Sequence, residues 1–189
     1  MSYYTEEELS EFGFKKIGIN VRISSKASIY NPESIEIDDN SRIDDFCIIS
    51  GKVNIGKYVH IAPYCLVAGG SEGITFDDFS GLAYSVQVFS QSDDYSGRTM
   101  TNPTIPSRYK KEIKKAVHIS RHVIIGASSI IFPGVTVAEG CSVGAMSLVN
   151  KTTVPWGIYV GNPAKRVKSR RQDLLALETS FMSEINDTI

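Results

Sequence analysis

A bulky apolar residue, nearly always aliphatic, recurs at every sixth position over most of this 189-residue chain. An α-helix would repeat its apolar residues every 3.6 positions and an amphipathic strand every two, so neither describes the pattern as one long element. A step of six instead indicates a short strand followed by a corner. The clearest runs are Ile37, Ile43, Ile49, Ile55, Ile61, Val67; then Phe76, Leu82, Val88; and then Ile119, Ile125, Ile131, Val137, Val143, Val149.

A second position of the repeat, four residues after each aliphatic, carries small or β-branched side chains. All three cysteines, Cys47, Cys65 and Cys141, fall in this class, so we interpret them as small core residues and not as reactive thiols. Since no single coil can bury its own apolar side, the coils must stack. Residues 17–154 are therefore predicted to form an all-β parallel β-helix of about six coils. The predicted inward side chains are Ile43, Ile49, Ile55, Ile61, Ile125, Ile131 and Val137.

The two ends of the chain carry helical signals, within one predicted domain over 1–189. Thr5 and Glu8 have the spacing of a capping box, which predicts a short helix in an N-terminal cap over 1–15. A second helix is predicted over 169–186. Its apolar residues recur at helical spacing and are expected to pack on the β-helix: Leu174, Leu177, Phe181 and Ile185.

The net charge and the apolar runs limit the kinds of partner that the chain can bind. The net charge is −1, which offers little attraction to nucleic acid or to an anionic membrane. The start, MSYYTEEELS, lacks the basic and then apolar order of a signal peptide, and no apolar run approaches the length of a membrane span. We therefore expect a cytoplasmic protein without a nucleic-acid or membrane partner.

The repeat is interrupted after VFSQSDDYSG, which begins at Val88. The interruption covers 90–113, and loops of this length in compact domains are uncommon and often functional. It places two carboxylates side by side, at Asp93 and Asp94. The loop is aromatic and contains prolines, which argues against a disordered excursion. We expect a protruding loop with a functional role.

Two segments of the chain resemble one family of enzymes. The stretches IIGASSIIFPGVTVAEGCSVGAMSLV and VPWGIYVGNPAKRVK are similar to those of the hexapeptide-repeat acyltransferases. The resemblance implies a left-handed β-helix, a homotrimer with active sites between neighbouring subunits, and acyl-CoA bound along one groove. It also implies an acceptor, often a sugar, near a loop that leaves the β-helix.

The chain departs from its relatives at one informative position. Sugar O-acetyltransferases of this superfamily carry a catalytic histidine that would fall at Asp93. A hydroxyl acceptor needs a base whose pKa lies near the working pH, and an aspartate with a pKa of about 3.9 is a weak substitute. An unprotonated amine is already nucleophilic and needs a group that orients it and balances its developing positive charge. The carboxylate pair therefore favours N-acylation.

The departure leads to a narrower resemblance. YYTEEELSEFGF, FDDFSGLAYSV, SDDYSG and TNPTIP look like the corresponding segments of dTDP-4-amino-4,6-dideoxyglucose N-acyltransferases. Those enzymes act on nucleotide-linked amino sugars in bacterial surface-polysaccharide pathways, such as the synthesis of lipopolysaccharide O-antigen. The resemblance implies acetyl-CoA, or another acyl-CoA, as co-substrate, a nucleotide amino sugar as acceptor and no metal.

The acceptor residues follow from this family. Asp93 or Asp94 is expected to contact the amine as the catalytic group. Ser85 lies where relatives place a polar residue that faces the acceptor, although a turn serine would explain it equally well.

The cofactor residues follow in the same way. The backbone at Ala127 and Ala145 would contact the pantetheine arm, with an amide near Ala127 serving the oxyanion. Asn150, Lys151 and Lys165 would face the phosphate end of CoA, where cations are favoured.

Three other interpretations remain open at this level. The first is an O-acetyltransferase that uses Asp93 or a histidine from elsewhere. The second is a zinc protein like the γ-class carbonic anhydrases, with His60, His118 and His122 as ligands. The third is a β-helix that only assembles or binds a partner. Acceptor panels, a metal assay and a CoA-binding test distinguish them.

Overall fold

The computed structural model describes residues 2–186. The first helix, α1, covers Glu6–Glu11. The hydroxyl of Thr5 accepts a hydrogen bond from the amide of Glu8 at 3.2 Å. The carboxylate of Glu8 accepts one from the amide of Thr5 at 2.7 Å. The predicted capping box is therefore confirmed, and it fixes where the helix begins.

Short strands follow at the spacing of the repeat. They are β1 Lys16–Ile17, β2 Arg22–Ile23, β3 Ser28–Tyr30, β4 Ile35–Ile37, β5 Arg42–Ile43, β6 Ile48–Ser50, β7 Val53–Ile55, β8 His60–Ile61, β9 Leu66–Ala68, β10 Ile74–Phe76, β11 Gly81–Leu82, β12 Gln87–Phe89, β13 Gln91–Ser92, β14 Ile113–Lys114, β15 Val117–Ile119, β16 Ile124–Ile125, β17 Ile130–Ile131, β18 Thr136–Val137, β19 Ser142–Val143, β20 Leu148–Val149, β21 Gly157–Val160 and β22 Lys165–Ser169. Two 3₁₀ turns cover Pro32–Ser34 and Ser107–Tyr109.

Three sheets run along the β-helix. Sheet 1 contains β1, β4, β7, β10, β15 and β18, and sheet 3 contains β3, β6, β9, β12, β17 and β20. Sheet 2 contains β2, β5, β8, β11, β16, β19, β21 and β22. All pairs within these sheets are parallel except β21 with β22. The chain thus forms a parallel β-helix of six complete coils, and β21 adds a seventh strand to sheet 2.

The core consists of the aliphatic residues of the repeat. All seven side chains predicted to face inward are at most 2% exposed. The register explains this, because each coil places its aliphatic residue over that of the coil before: Ile43 pairs with Ile61, and Leu82 with Ile125. The six-residue pattern therefore predicted the inside of the β-helix correctly.

The three cysteines are buried, as predicted, and none forms a disulfide. The pKa of the Cys65 thiol is raised far above its ordinary value, mainly by a hydrogen bond with Cys47 and to a smaller extent by burial. A thiol held in its protonated form is a poor nucleophile. All three cysteines are at most 1% exposed, so they fill space in the core.

The interruption of the repeat forms a loop that closes on itself. Its base is an antiparallel pair, β13 with β14. The amide of Lys115 donates to the carbonyl of Ser90 at 2.9 Å, and β15 resumes sheet 1 beside β10. The excursion predicted over 90–113 is thus a hairpin-based projection whose two ends meet at one corner of the β-helix.

The C-terminal segment differs in part from the prediction over 169–186. The helix α2 covers Leu174–Asn186, because residues up to Ser169 belong to β22 and pair with β21 instead. Phe181 packs edge-on against Tyr58 and Phe79, whereas Leu177 is 70% exposed. The apolar stripe is therefore only partly packed within one chain. Neither helix in the described range is long and apolar enough to cross a membrane.

Candidate active site

The corners between the sheets position the candidate residues. We call the turn from sheet 2 to sheet 3 the second corner. Its residues with positive φ are Phe46, Tyr64, Ser85, Ser128 and Met146, at 57–65°. Backbone hydrogen bonds join successive coils there, from the amide of Ser128 to Tyr84 at 2.9 Å and from that of Met146 to Ala127 at 2.8 Å. Tyr84, Ala127 and Ala145 thus stack on one line over three successive coils, and Ser85 lies next to Tyr84 on the first of these coils.

The cofactor candidates on this line, like Tyr84, have backbone amides with no hydrogen-bond partner in the described part of the chain. Among the residues described, no carbonyl or side chain accepts a hydrogen bond from the amide of Ala127 or of Ala145. Both residues are followed by one whose amide bonds to the preceding coil. Unpaired amides at a half-exposed corner can donate to a ligand, and a row of them suits an amide-containing chain or an oxyanion.

The candidates for the phosphate end of CoA lie in two different places. The hairpin from β21 to β22 continues the second corner, because the amide of Leu148 donates to Gly161 at 3.0 Å and that of Ala164 to Leu148 at 2.8 Å. Lys165 is exposed there. Asn150 and Lys151 are also exposed, but they follow β20 at the opposite end of sheet 3.

The two aspartates of the loop have different surroundings. The carboxylate of Asp94 accepts hydrogen bonds from the amide of Ser96 at 2.9 Å, from its hydroxyl at 2.9 Å and from the hydroxyl of Thr99 at 3.2 Å. The bonds from Ser96, first from its amide, lower the pKa of Asp94 below its ordinary value. Asp94 therefore holds the loop together.

Asp93 has more free bonding capacity. Its carboxylate accepts one long hydrogen bond, from the amide of Asn102 at 3.3 Å, and a carboxylate can accept about four. It lines a pocket of about 270 Å³ together with Phe89, Tyr95 and Phe132. Phe132 was missed in the sequence, although the register of the repeat places it one coil above Phe89. Of the two aspartates, Asp93 is the one available to a ligand.

Ser85 and Asp93 lie at different ends of sheet 3. Ser85 precedes β12 at the second corner, and Asp93 follows β13 beyond the far end of that strand. Ser85 does not line the pocket that contains Asp93. One chain therefore presents its candidate residues at two separate places: a line of amides with Ser85, and a loop pocket with Asp93.

The three histidines do not converge on a common point. The Nε2 atom of His60 lies 2.7 Å from Asp44, that of His118 2.8 Å from Asp77, and that of His122 2.7 Å from Glu178. Over the described range, no three His, Cys, Asp or Glu side chains are grouped to hold a metal ion. The positions of the histidines give no support to the zinc interpretation.

The stacked coils, the line of free amides and the inserted carboxylate loop define a hexapeptide-repeat acyltransferase. The N-acyltransferase AntD of Bacillus cereus, solved with dTDP and 3-hydroxybutyryl-CoA, is 49% identical to this chain, covers 98% of each chain and superposes with a TM-score of 0.97. The dTDP-4-amino-4,6-dideoxy-D-glucose acyltransferase of Escherichia coli is 41% identical over the full length of both chains. This chain belongs to the dTDP-4-amino-4,6-dideoxyglucose acyltransferase family.

A more distant relative is an acetyltransferase named for another acceptor. A chloramphenicol acetyltransferase of Agrobacterium fabrum is 26% identical over 71% of this chain and 69% of its own length.

Variants of AntD have also been solved. Those changed at one aspartate contain dTDP and CoA, and those changed at one serine contain CoA with either dTDP or dTDP-4-amino-4,6-dideoxyglucose. No family model matches the sequence.

Proposed function

We propose that this enzyme transfers an acetyl or another short acyl group from acyl-CoA to the amine of dTDP-4-amino-4,6-dideoxyglucose. The observation that carries the proposal is the loop pocket, in which Asp93, instead of a histidine, presents a carboxylate with free bonding capacity. The ligands in the solved AntD complexes support the choice of donor and acceptor.

The chemistry needs little from the protein. The amine nitrogen attacks the thioester carbon, the C–S bond breaks, and the departing thiolate takes the proton that the nitrogen loses. Asp93 accepts a hydrogen bond from the amine and stabilises the positive charge that develops on nitrogen. Ser85 supplies a second contact, and the amide of Ala127 donates to the carbonyl oxygen as it becomes negative. No step requires a metal.

A homotrimer would complete the site. Ser85 and Asp93 lie at different ends of sheet 3, so a second copy that brings its loop to the second corner would place them together. An apolar groove of about 780 Å³ between α2 and sheet 2 includes Ile124 and Leu177, both at least half exposed. Covering these side chains would favour the association of copies.

The shared site can be tested by mixing two inactive variants. Ala127→Trp should block the cofactor at the second corner, and Asp93→Asn should weaken the loop pocket. In randomly mixed oligomers, about one site in four combines an intact corner with an intact loop. Co-expression should therefore restore about a quarter of the wild-type rate. If the mixture remains as inactive as its components, the site belongs to a single chain.

Lys165 gives a test of the donor side. Lys165→Ala should weaken CoA binding by about 2- to 10-fold while leaving the thermal unfolding midpoint unchanged, because an exposed lysine contributes mainly a point charge to phosphate binding. Calorimetric titration with CoA and with CoA lacking its 3′-phosphate measures the effect. Lys168→Ala, another exposed lysine of β22, is the matched control. Unchanged CoA affinity in Lys165→Ala would remove this residue from the cofactor site.

The decisive experiment for the function is product analysis. Purified enzyme is incubated with acetyl-CoA or 3-hydroxybutyryl-CoA and with a panel of dTDP-sugars that carry either an amine or a hydroxyl at the same carbon. Mass spectrometry should detect acylation of dTDP-4-amino-4,6-dideoxyglucose and not of its hydroxyl counterpart. Preferred acylation of the hydroxyl would instead identify an O-acyltransferase. The product would supply an acylated amino sugar, formed in the cytoplasm, for bacterial surface polysaccharide such as O-antigen.

A further inference from the structure

The second corner carries exposed aromatic rings on the coils that precede Ser85. The rings of Phe46 and Tyr64 are stacked, with centroids 5.0 Å apart and planes 19° from parallel. They are 48% and 60% exposed, and the neighbouring Tyr84 is 59% exposed. Phe46 and Tyr64 also have φ of 62° and 65°, which bulky residues rarely adopt. A solvent-exposed stack at strained backbone positions contributes little to the stability of the fold.

The first corner, from sheet 1 to sheet 2, provides a comparison within the same chain. Tyr58 and Phe79 stack there with centroids 5.0 Å apart and planes 6° from parallel. Phe181 of α2 covers both rings. The Phe46–Tyr64 stack has the same construction, yet no ring from elsewhere in the described part of the chain covers it. The exposed rings of the second stack are therefore accessible to a molecule other than the chain itself.

The stack is continuous with the proposed site. The amide of Ser85 donates to Pro63 at 3.0 Å, and that of Tyr64 donates to Asp45 at 3.1 Å. Tyr64 is therefore one coil, and Phe46 two coils, from Ser85, which corresponds to about 5 and 10 Å. The cofactor line of Ala127 and Ala145 runs the other way from Ser85. Because the donor would occupy the side of Ala127 and Ala145, an acceptor whose amine lies at Ser85 would extend in the other direction, along the Phe46–Tyr64 stack.

A nucleotide is the part of such an acceptor that an aromatic face recognises. Every base has a π-face, and stacking on protein rings binds bases without a demand for particular hydrogen-bond partners. Lys26 lies at the far end of the stack, with Nζ 5.5 Å from the ring centroid of Phe46. It is also paired with Asp45 at 3.3 Å, so it does not present a free cation. The stack thus suits a flat base better than a phosphate.

We infer that Phe46 and Tyr64 form the platform on which the base of the nucleotide-linked acceptor stacks, so that donor and acceptor bind in opposite directions from Ser85. The inference rests on the proposed function, since it requires a nucleotide in the acceptor. It assigns Phe46 and Tyr64 to acceptor affinity and specificity, without a part in the transfer step.

The test measures binding of dTDP by calorimetry. Phe46→Ala and Tyr64→Ala should each weaken dTDP affinity by about 5- to 150-fold, the range for loss of one base–ring stack. Tyr64→Phe, which keeps the ring, should bind dTDP as the wild type does. Tyr30→Ala removes an exposed ring at the other end of sheet 3 and should have no effect. Affinities for CoA and for inorganic pyrophosphate, which has no base, should be equal in all variants.

Turnover separates this inference from the proposed function. In Phe46→Ala and Tyr64→Ala, KM for the dTDP-amino sugar should rise while kcat stays near that of the wild type. If the wild type acylates the dTDP-amino sugar but the two alanine variants bind dTDP normally, the platform is wrong and the function stands. If the variants change the oligomer mass in light scattering, the stack is a subunit contact, which also overturns the inference. Failure of the wild type to acylate any dTDP-amino sugar would contradict the function itself.

Discussion

Asp93→Asn is expected to lower the rate of acyl transfer to the amino sugar by about 10²- to 10⁴-fold, the range for a positioned acid–base group. Asparagine keeps the shape of the side chain and removes its charge, so the developing positive charge on the amine loses its partner. KM for the acceptor should rise, whereas CoA affinity should not change. Steady-state kinetics with each substrate varied in turn separates these effects.

Asp94→Asn is the matched control for this prediction. The carboxylate of Asp94 is already occupied by Ser96 and Thr99, so its loss should loosen the loop and reduce the rate much less than Asp93→Asn does. The reverse order of effects would identify Asp94 as the contact to the amine. Equal and unchanged turnover in both variants would reduce the pair to a loop cap and remove the proposed role of the carboxylate.

Ile125→Ala is expected to lower the free energy of unfolding by about 2–5 kcal/mol, because it leaves a cavity in a core that packs from coil to coil. Ile125 is fully buried and pairs with Leu82 below and Val143 above. Urea denaturation at a fixed protein concentration measures the change, because the proposed trimer would make apparent stability depend on concentration.

Ile19→Ala provides the control for the core prediction. This isoleucine is 75% exposed, and the same substitution there should change stability by no more than about 0.5 kcal/mol. If Ile125→Ala were as mild as Ile19→Ala, the coils would not share a continuous core. The six-residue register would then lose its physical explanation.

The fold was predictable because each position of the six-residue repeat corresponds to a fixed degree of side-chain burial. Each aliphatic residue at the sixth position faces inward, and each small residue four places later fits inside a corner, so a one-dimensional pattern gives the three-sheet core. The pattern ends after Val149. The later segment Lys165–Ser169 consists mostly of basic residues, so its sequence does not distinguish a strand from the start of α2. Only its antiparallel pairing with β21 shows that it is a strand.

The site was predictable only in part, for a different physical reason. Short motifs gave Asp93, Ser85 and the proposed cofactor residues as candidates, but adjacency in the sequence does not show which corner of a coil a residue occupies. The family resemblance grouped Asn150 and Lys151 with Lys165 at the phosphate end of CoA, whereas the fold sets them at the opposite end of sheet 3 from Lys165. Nor could it distinguish Asp93 from Asp94, because that difference depends on the hydrogen bonds that Ser96 and Thr99 make within the folded loop.

The way the loop closes at its base has a consequence for how such enzymes diversify. Its ends are joined by the Lys115–Ser90 hydrogen bond and by β13 with β14. Below and above it, the strands pair as though nothing had been inserted, β10 with β15 and β12 with β17. The projection can therefore lengthen, shorten or be exchanged between relatives without shifting the register of the coils. A change in the loop would thus alter the proposed contacts to the acceptor while leaving the proposed donor side in place.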